Sequence, residues 1–162
     1  MGKPEKIRCA LRINNEDYDL FISPHRTLLE VLRDELQLTG AKESCNEGAC
    51  GTCTVLLDGL PVRSCLLLAL EAQGREVTTI EGLAKDGKLH PVQEAFVEHH
   101  GIQCGFCSPG MILTAFGLLA KNPKPTREQI IRGMEQNLCR CGAHTRIIDA
   151  IETAAAEMKG GR

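Results

Sequence analysis

At 162 residues and 43% hydrophobic content, the chain can build one ordinary domain or two small ones. Nineteen basic residues against 21 acidic ones leave a net charge of −2, which offers no polyanion-binding face and argues against nucleic acid. With no Trp, one Tyr and four Phe, it also lacks the stacking platforms of single-strand or sugar binders.

The opening stretch MGKPEKIRCALRINNEDYDLF has no apolar run of signal-peptide length and no twin arginine, and no later segment reaches transmembrane length. A soluble, cytoplasmic chain is expected. Nine cysteines without an export signal would make an odd disulfide framework, so metal binding is the better reading. Ile7, Cys9, Leu11 and Ile13 alternate with Arg8, Ala10, Arg12 and Asn14, the period-two pattern of a strand with one buried face. Cys9 then reads as a small buried hydrophobe. A second strand candidate covers about 17–22, and the capping box TLLE from Thr27 opens a helix expected to run to about Gln37.

The next stretch, SCNEGACGTC from Ser44 to Cys53, holds three cysteines in a loop too tight for ordinary disulfide geometry. Cys45, Cys50 and Cys53 read C-x4-C-x2-C, and eleven residues separate Cys53 from Cys65, the plant-type ferredoxin spacing for a [2Fe–2S] cluster. Four thiolates on two ferric ions and two sulfides leave a core of charge −2, which calls for a shell of backbone N–H donors. Gly48 and Gly51 let the loop turn its amides inward. The alternative is zinc, but structural zinc sites usually set their cysteines in C-x2-C pairs apart from one another.

Asp58-Gly59 between TVLL and PVRSCLLL marks a hairpin turn, and REVTTIEG supplies a further strand near 75–80. Strands, a helix packed across them and a cysteine loop predict an α+β ferredoxin-like domain ending near Glu81. From Leu89 the period turns helical, in LHPVQEAFVEHH, SPGMILTAFGLLA, TREQIIRGMEQ and TRIIDAIETAAAEM. Ser108-Pro109 reads as a cap with a first-turn proline, Thr126 and Gln129 as a second capping box, and NPKP at 122–125 as a break. ILTAFGLLA is apolar nearly all round, as a helix buried in a bundle requires.

The second cysteine set lies in the two short links between these helices, QCGFC with Cys104 and Cys107, and NLCRC with Cys139 and Cys141. Two opposed helical hairpins would bring both links to one spot. On spacing alone, iron–sulfur and zinc remain equally open here.

KESCNEGACGTCTVLLDGLPVRSCL followed by IQCGFCSPGM and NLCRC resembles the iron–sulfur subunit of the xanthine oxidase family of molybdenum hydroxylases over almost the whole chain. The resemblance implies a plant-type ferredoxin (β-grasp) domain over 1–81 and an all-α four-helix-bundle domain over 82–162, each with one [2Fe–2S] cluster. It makes Cys45, Cys50, Cys53 and Cys65 ligands of an outer cluster, and Cys104, Cys107, Cys139 and Cys141 ligands of an inner one. It also implies that Gln103 and Cys141 touch the pterin of a partner subunit; on its own, Gln103 would read as a loop amide at a helix end. The partners implied are a large subunit with a molybdopterin-type molybdenum cofactor and a flavin (FAD) subunit or other acceptor. Fused relatives continue into flavin and molybdenum domains, so a chain ending at Arg162 is expected to draw these from separate subunits. The expected function is electron relay from the molybdopterin site during oxidation of an N-heterocycle or aldehyde. Carbon monoxide dehydrogenases and hydroxybenzoyl-CoA reductases use similar subunits.

CGAHTRI after the last cysteine departs from the threonine, glycine and tyrosine of many relatives and resembles the isoquinoline and nicotinate oxidoreductase branch. Ser44 and Thr52 stand where relatives commonly carry smaller residues, which can tune a cluster by hydrogen bonding. His99, His100 and His144 have no partner acid or nucleophile at a meaningful spacing, and Glu71, Glu76 and Glu81 read as surface carboxylates. No residue is expected to be catalytic. Two further readings stand beside the relay: a free-standing ferredoxin shuttle, and a zinc-stabilised interaction module.

Overall fold

The structure is a computed structural model that describes residues 5–160. Its first half is a five-stranded mixed sheet in the order β2-β1-β5-β3-β4, with strands β1 Ile7–Ile13, β2 Glu16–Ile22, β3 Thr54–Leu57, β4 Leu60–Arg63 and β5 Glu76–Thr78. β1 and β5 pair in parallel, and the other neighbours are antiparallel. Asn14-Asn15 and Asp58-Gly59 close the two hairpins, all four residues lying at positive φ, which suits the right-handed twist of the strands. On β1 the expected alternation holds for Cys9, Leu11 and Ile13, which turn into the core with Cys9 fully buried, whereas Ile7 at the strand's start is exposed.

The expected helix reaches about as far as its pattern suggested but widens after its first turn. Thr27 caps it reciprocally with Glu30. After α1, Leu28–Glu30, the chain relaxes into a π-turn over Val31–Glu35 and stops at Gln37, whose φ is 58°. Two contacts account for the stop: the Leu38 N–H turns back onto the Leu32 carbonyl at 2.8 Å, and Arg33 donates to the carbonyls of Thr39 and Ala41. Both lead the chain towards the cysteine loop.

The second half carries helices α2 Pro91–Glu98, α3 Ser108–Lys121, α4 Arg127–Met134 and α5 His144–Gly160. His90 and Gln93 cap α2, and Thr126 and Gln129 cap α4 as the sequence indicated. The cap expected of Ser108 is not made. Ser108 is the first residue of α3 and is buried, while Cys107 holds the cap position without a side-chain bond. Phe96, Met111, Leu113, Ile130 and Ile147 form the helical core, which also includes Leu56 from β3. Val55 and Leu57, its neighbours, face the other way into the sheet core with Leu28 and Leu32. β3 is therefore buried on both faces.

α3 lies directly on this strand and on the loop before it. A methyl group on Gly110 would stand 2.3 Å from the Gly51 carbonyl oxygen, so the missing side chain sets the closeness of the approach. Among the described residues no helix is long and apolar enough to cross a membrane.

Candidate metal centres

Four hydrogen bonds shape the first cysteine loop. The Lys42 N–H donates to the Thr52 carbonyl at 3.1 Å, and the Thr52 hydroxyl returns a bond to the Lys42 carbonyl at 3.2 Å. This clasp closes the loop that holds Cys45 and Cys50. The buried Ser64 hydroxyl donates to the Cys53 carbonyl at 2.6 Å, while the Thr54 hydroxyl donates to the Gly51 carbonyl at 2.7 Å. Between them they set Cys65 opposite Cys53, with sulfurs 3.4 Å apart. Gly51 has a φ of 74°, and a methyl there would meet Asn137 and the Gln136 carbonyl at 2.6 Å.

The eight cysteines fall into four neighbouring couples, Cys45 with Cys50, Cys53 with Cys65, Cys104 with Cys141, and Cys107 with Cys139. Among the described residues no three metal-binding side chains converge on a point suited to one ion. Two sulfurs per metal is the arrangement a [2Fe–2S] core takes from four cysteines, whereas a single tetrahedral zinc gathers all four about one centre.

Backbone amides point at these sulfurs. The Cys50 N–H donates to Cys45 at 3.4 Å, and the Gly48 amide lies beside Cys65. Burial pushes the Cys50 thiol up, but hydrogen bonds from Thr52 and Cys45 outweigh it and hold the group at about 6. Burial and the adjoining Cys53 push Cys65 up to about 11. In the second set, burial and Cys139 push Cys107 up to about 12. Burial opposes ionisation of Cys139, yet the amides of Ala143, Cys141 and Gly142, together with Cys107, hold it below the usual thiol range. The exposed Cys104 is lowered by the Phe106 amide and then by Cys141. Donors of this kind stabilise sulfur in its anionic form, the form that binds iron.

Both sets open on one groove of about 370 Å³, lined by Cys50, Thr52, Cys104, Cys107, Leu138 and Cys139 among others. Ser44 and His144 also line it, while Gln103 is exposed beside Cys104. The Thr52 hydroxyl sits 3.2 Å from the Cys50 sulfur, the contact its residue type suggested. Cys9 is elsewhere, with its sulfur 3.8 Å from the Ala69 carbonyl in the sheet core. The His99 ring meets the Thr153 hydroxyl at 2.8 Å, tying α2 to α5. Glu71, Glu76 and Glu81 do more than cover surface, since each accepts a backbone N–H, from Leu68, Asn15 and Gly40 respectively.

The residues that join the two sets were not evident from the sequence. Asn137 donates from Nδ2 to the Gly51 carbonyl at 3.3 Å, and Arg63 donates to the Gln136 carbonyl at 2.8 Å. Their only local signal is position, Asn137 two residues before Cys139 and Arg63 two before Cys65.

A family model described as 2Fe-2S iron-sulfur cluster binding domain matches residues 11–82, and another described as [2Fe-2S] binding domain matches 79–152. The nicotinate dehydrogenase small FeS subunit of Eubacterium barkeri is 46% identical over 149 residues, covering 92% of this chain and 95% of that one. The crystal structure of quinoline 2-oxidoreductase from Pseudomonas putida 86 aligns with a TM-score of 0.92 and 42% identity, covering 97% of this chain and 98% of that one. Aldehyde oxidoreductase from Desulfovibrio gigas aligns with a TM-score of 0.90 and 42% identity over 96% of this chain and 18% of that one, so there the fold is part of a longer polypeptide.

Two consecutive modules of this kind define an electron-transfer protein with two [2Fe–2S] clusters. The chain belongs to the iron–sulfur subunits of the xanthine oxidase family of molybdenum hydroxylases, oxidoreductase complexes whose large subunit carries the molybdenum cofactor.

Proposed function

We propose that this subunit relays electrons from a molybdopterin site to FAD or another acceptor through two centres held by the eight paired cysteines. Cys45 and Cys50 would share one iron of the plant-type centre, and Cys53 and Cys65 the other. Cys104 with Cys141, and Cys107 with Cys139, would divide the second centre likewise. The pairing of the thiols carries this reading. When bound, each cluster supplies a site that takes up and releases one electron. The chain's own groups aim amides at the sulfurs, hold the two loops together and bury the Cys53 side of the first set.

The domain division would fall near Glu81, with the four helices α2 to α5 making up a second, bundle-like domain, in keeping with the one core they share. Gln103 and Cys141 would contact the pterin from the partner, in keeping with the exposure of Gln103. The substrate of the complex would be an N-heterocycle or an aldehyde, as in the nicotinate, quinoline and aldehyde enzymes, and the complex would work in the cytoplasm. Metal analysis of the purified chain tests the centre assignment. Four irons per chain and no stoichiometric zinc are expected. Two irons with one zinc would remove the relay, because zinc takes up no electron.

A further inference from the structure

Arg63 ends β4 two residues before Cys65, and its guanidinium reaches three segments at once. Nε donates to the Gly48 carbonyl at 3.4 Å, Nη1 to the Thr54 hydroxyl at 2.5 Å and Nη2 to the Gln136 carbonyl at 2.8 Å. The acceptors belong to the first cysteine loop, to β3 and to the link that carries Cys139. All three are neutral. Arg8, Arg12, Arg26, Arg75 and Arg127 each meet a carboxylate, whereas none lies within 4.0 Å of Arg63 or of Arg33 among the described residues. A half-buried cation held by neutral acceptors alone keeps most of its charge uncompensated by the protein.

Gly48 shows where that charge acts. Its N–H lies beside the Cys65 sulfur, its carbonyl is held by Arg63, and the Leu66 side chain covers its open face, 2.4 Å from where a methyl would stand. Arg63 therefore anchors the Gly48–Ala49 peptide and so limits how far the preceding amide can swing away from the sulfur. An oxidised core with four thiolates carries a charge of −2, and reduction adds another negative charge. Both a nearby cation and a well-aimed N–H favour the more negative form.

We propose that Arg63 is the positioning residue of the plant-type centre: it holds Gly48 beside Cys65, ties that loop to the Cys139 link, and supplies a positive charge that favours reduction of this centre over its neighbour. The inference rests on the assignment of Cys45, Cys50, Cys53 and Cys65 to that centre. Arg63 is no catalytic residue, since it touches neither substrate nor any reacting atom.

Redox titration of the assembled complex, followed by electron paramagnetic resonance, tests it with Arg63→Gln, Arg63→Met and Arg63→Lys. The neutral variants should weaken the reduced state of the plant-type centre about tenfold, a fall of ~59 mV for one electron. The other centre should shift much less. Arg63→Lys keeps the charge without the fork, so it should hold most of the potential while its unfolding midpoint drops as in the neutral variants. An unmoved potential in the neutral variants overturns the proposal, as does an equal shift in all three or an equal shift of both centres. If the neutral variants lose the plant-type signal, its retention at the native potential in Arg63→Lys supports the proposal. Loss of the signal in all three variants would mark a folding role alone and overturn it. A native complex with no plant-type signal would instead defeat the cysteine assignment.

Discussion

The peptide N–H of Leu138 donates to the carbonyl oxygen of Cys50 at 2.9 Å. A residue adjoining Cys139 is thus bonded to the backbone of a cysteine from the other set, and the route between the sets needs one hydrogen bond. Asn137 and Arg63 flank this contact.

The junction can be weakened in steps. Asn137 is buried, and its Oδ1 has no partner among the described residues, so removing its side chain costs one hydrogen bond and also relieves an orphan acceptor. Asn137→Ala should lower stability by only about 1 kcal/mol. Asn137→Asp replaces the donor with a buried charge facing the Gly51 carbonyl, and should cost more, about 3 kcal/mol, with loss of iron. Chemical denaturation and iron assay of the two variants check the order; an Asp variant as stable as the Ala variant would contradict it.

Gly110 offers a steric test of the same contact. Gly110→Ala puts a methyl against the Gly51 carbonyl, which is backbone and cannot swing aside. A loss of about 1–3 kcal/mol is expected, with impaired assembly at the first cysteine set rather than at the helical core. Gly74→Ala, where nothing lies within 4 Å and no cysteine adjoins, is the control for general handling of the chain, although its φ of 73° adds some strain of its own.

The cysteine sets should fail separately. Cys50→Ala and Cys107→Ala should each halve the iron content and abolish a different one of two paramagnetic signals. In the assembled complex, Cys107→Ala should stop substrate from reducing the plant-type centre during turnover, although dithionite still reduces it. Cys50→Ala should leave substrate reduction of the second centre prompt while transfer to the acceptor collapses. Rapid-mixing spectra decide, provided each variant retains its other cluster and its partners. Prompt substrate reduction of the plant-type centre in the Cys107 variant would reverse the proposed order.

His90 gives the stability a pH dependence of known sign. Its Nδ1 accepts from the Val92 N–H at 3.3 Å, its ring meets Phe116 edge-on at 5.0 Å, and burial followed by the charge of Lys85 lowers its pKa, with Glu94 opposing. A base whose pKa is depressed on folding stabilises the fold fully above its unfolded value of about 6.5. That stability drains away as the pH falls from there through the folded value. His90→Asn keeps a capping acceptor that does not titrate. The stability difference between native and variant proteins should therefore move against the native one between pH 8 and pH 5.5, roughly the window about the unfolded value. Acid loss of the clusters is common to both and cancels in the difference.

How much was legible depended on how local each cause was. The cysteine spacings, the Asp58-Gly59 turn and the capping boxes at Thr27 and Thr126 are settled within a few residues, and they could be read directly. The π-turn after Glu30 and the displaced start of α3 follow from contacts made only in the folded chain. Arg63 and Asn137 were hidden altogether, because their partners lie 73 and 86 residues away and exist only once α3 has seated on β3. The pairing of sulfurs between QCGFC and NLCRC was foreseeable as a meeting of two links, but not which thiol would face which.

The double burial of β3 has a consequence for taking the chain apart. Leu56 belongs to the helical core and Val55 and Leu57 to the sheet core, so cutting near residue 81 would expose Leu56 on one fragment and strip α3 of its floor on the other. Neither fragment would inherit a complete interior. The two halves should melt in one cooperative transition, and the spacing between the two cysteine sets should stay fixed for as long as the chain is folded.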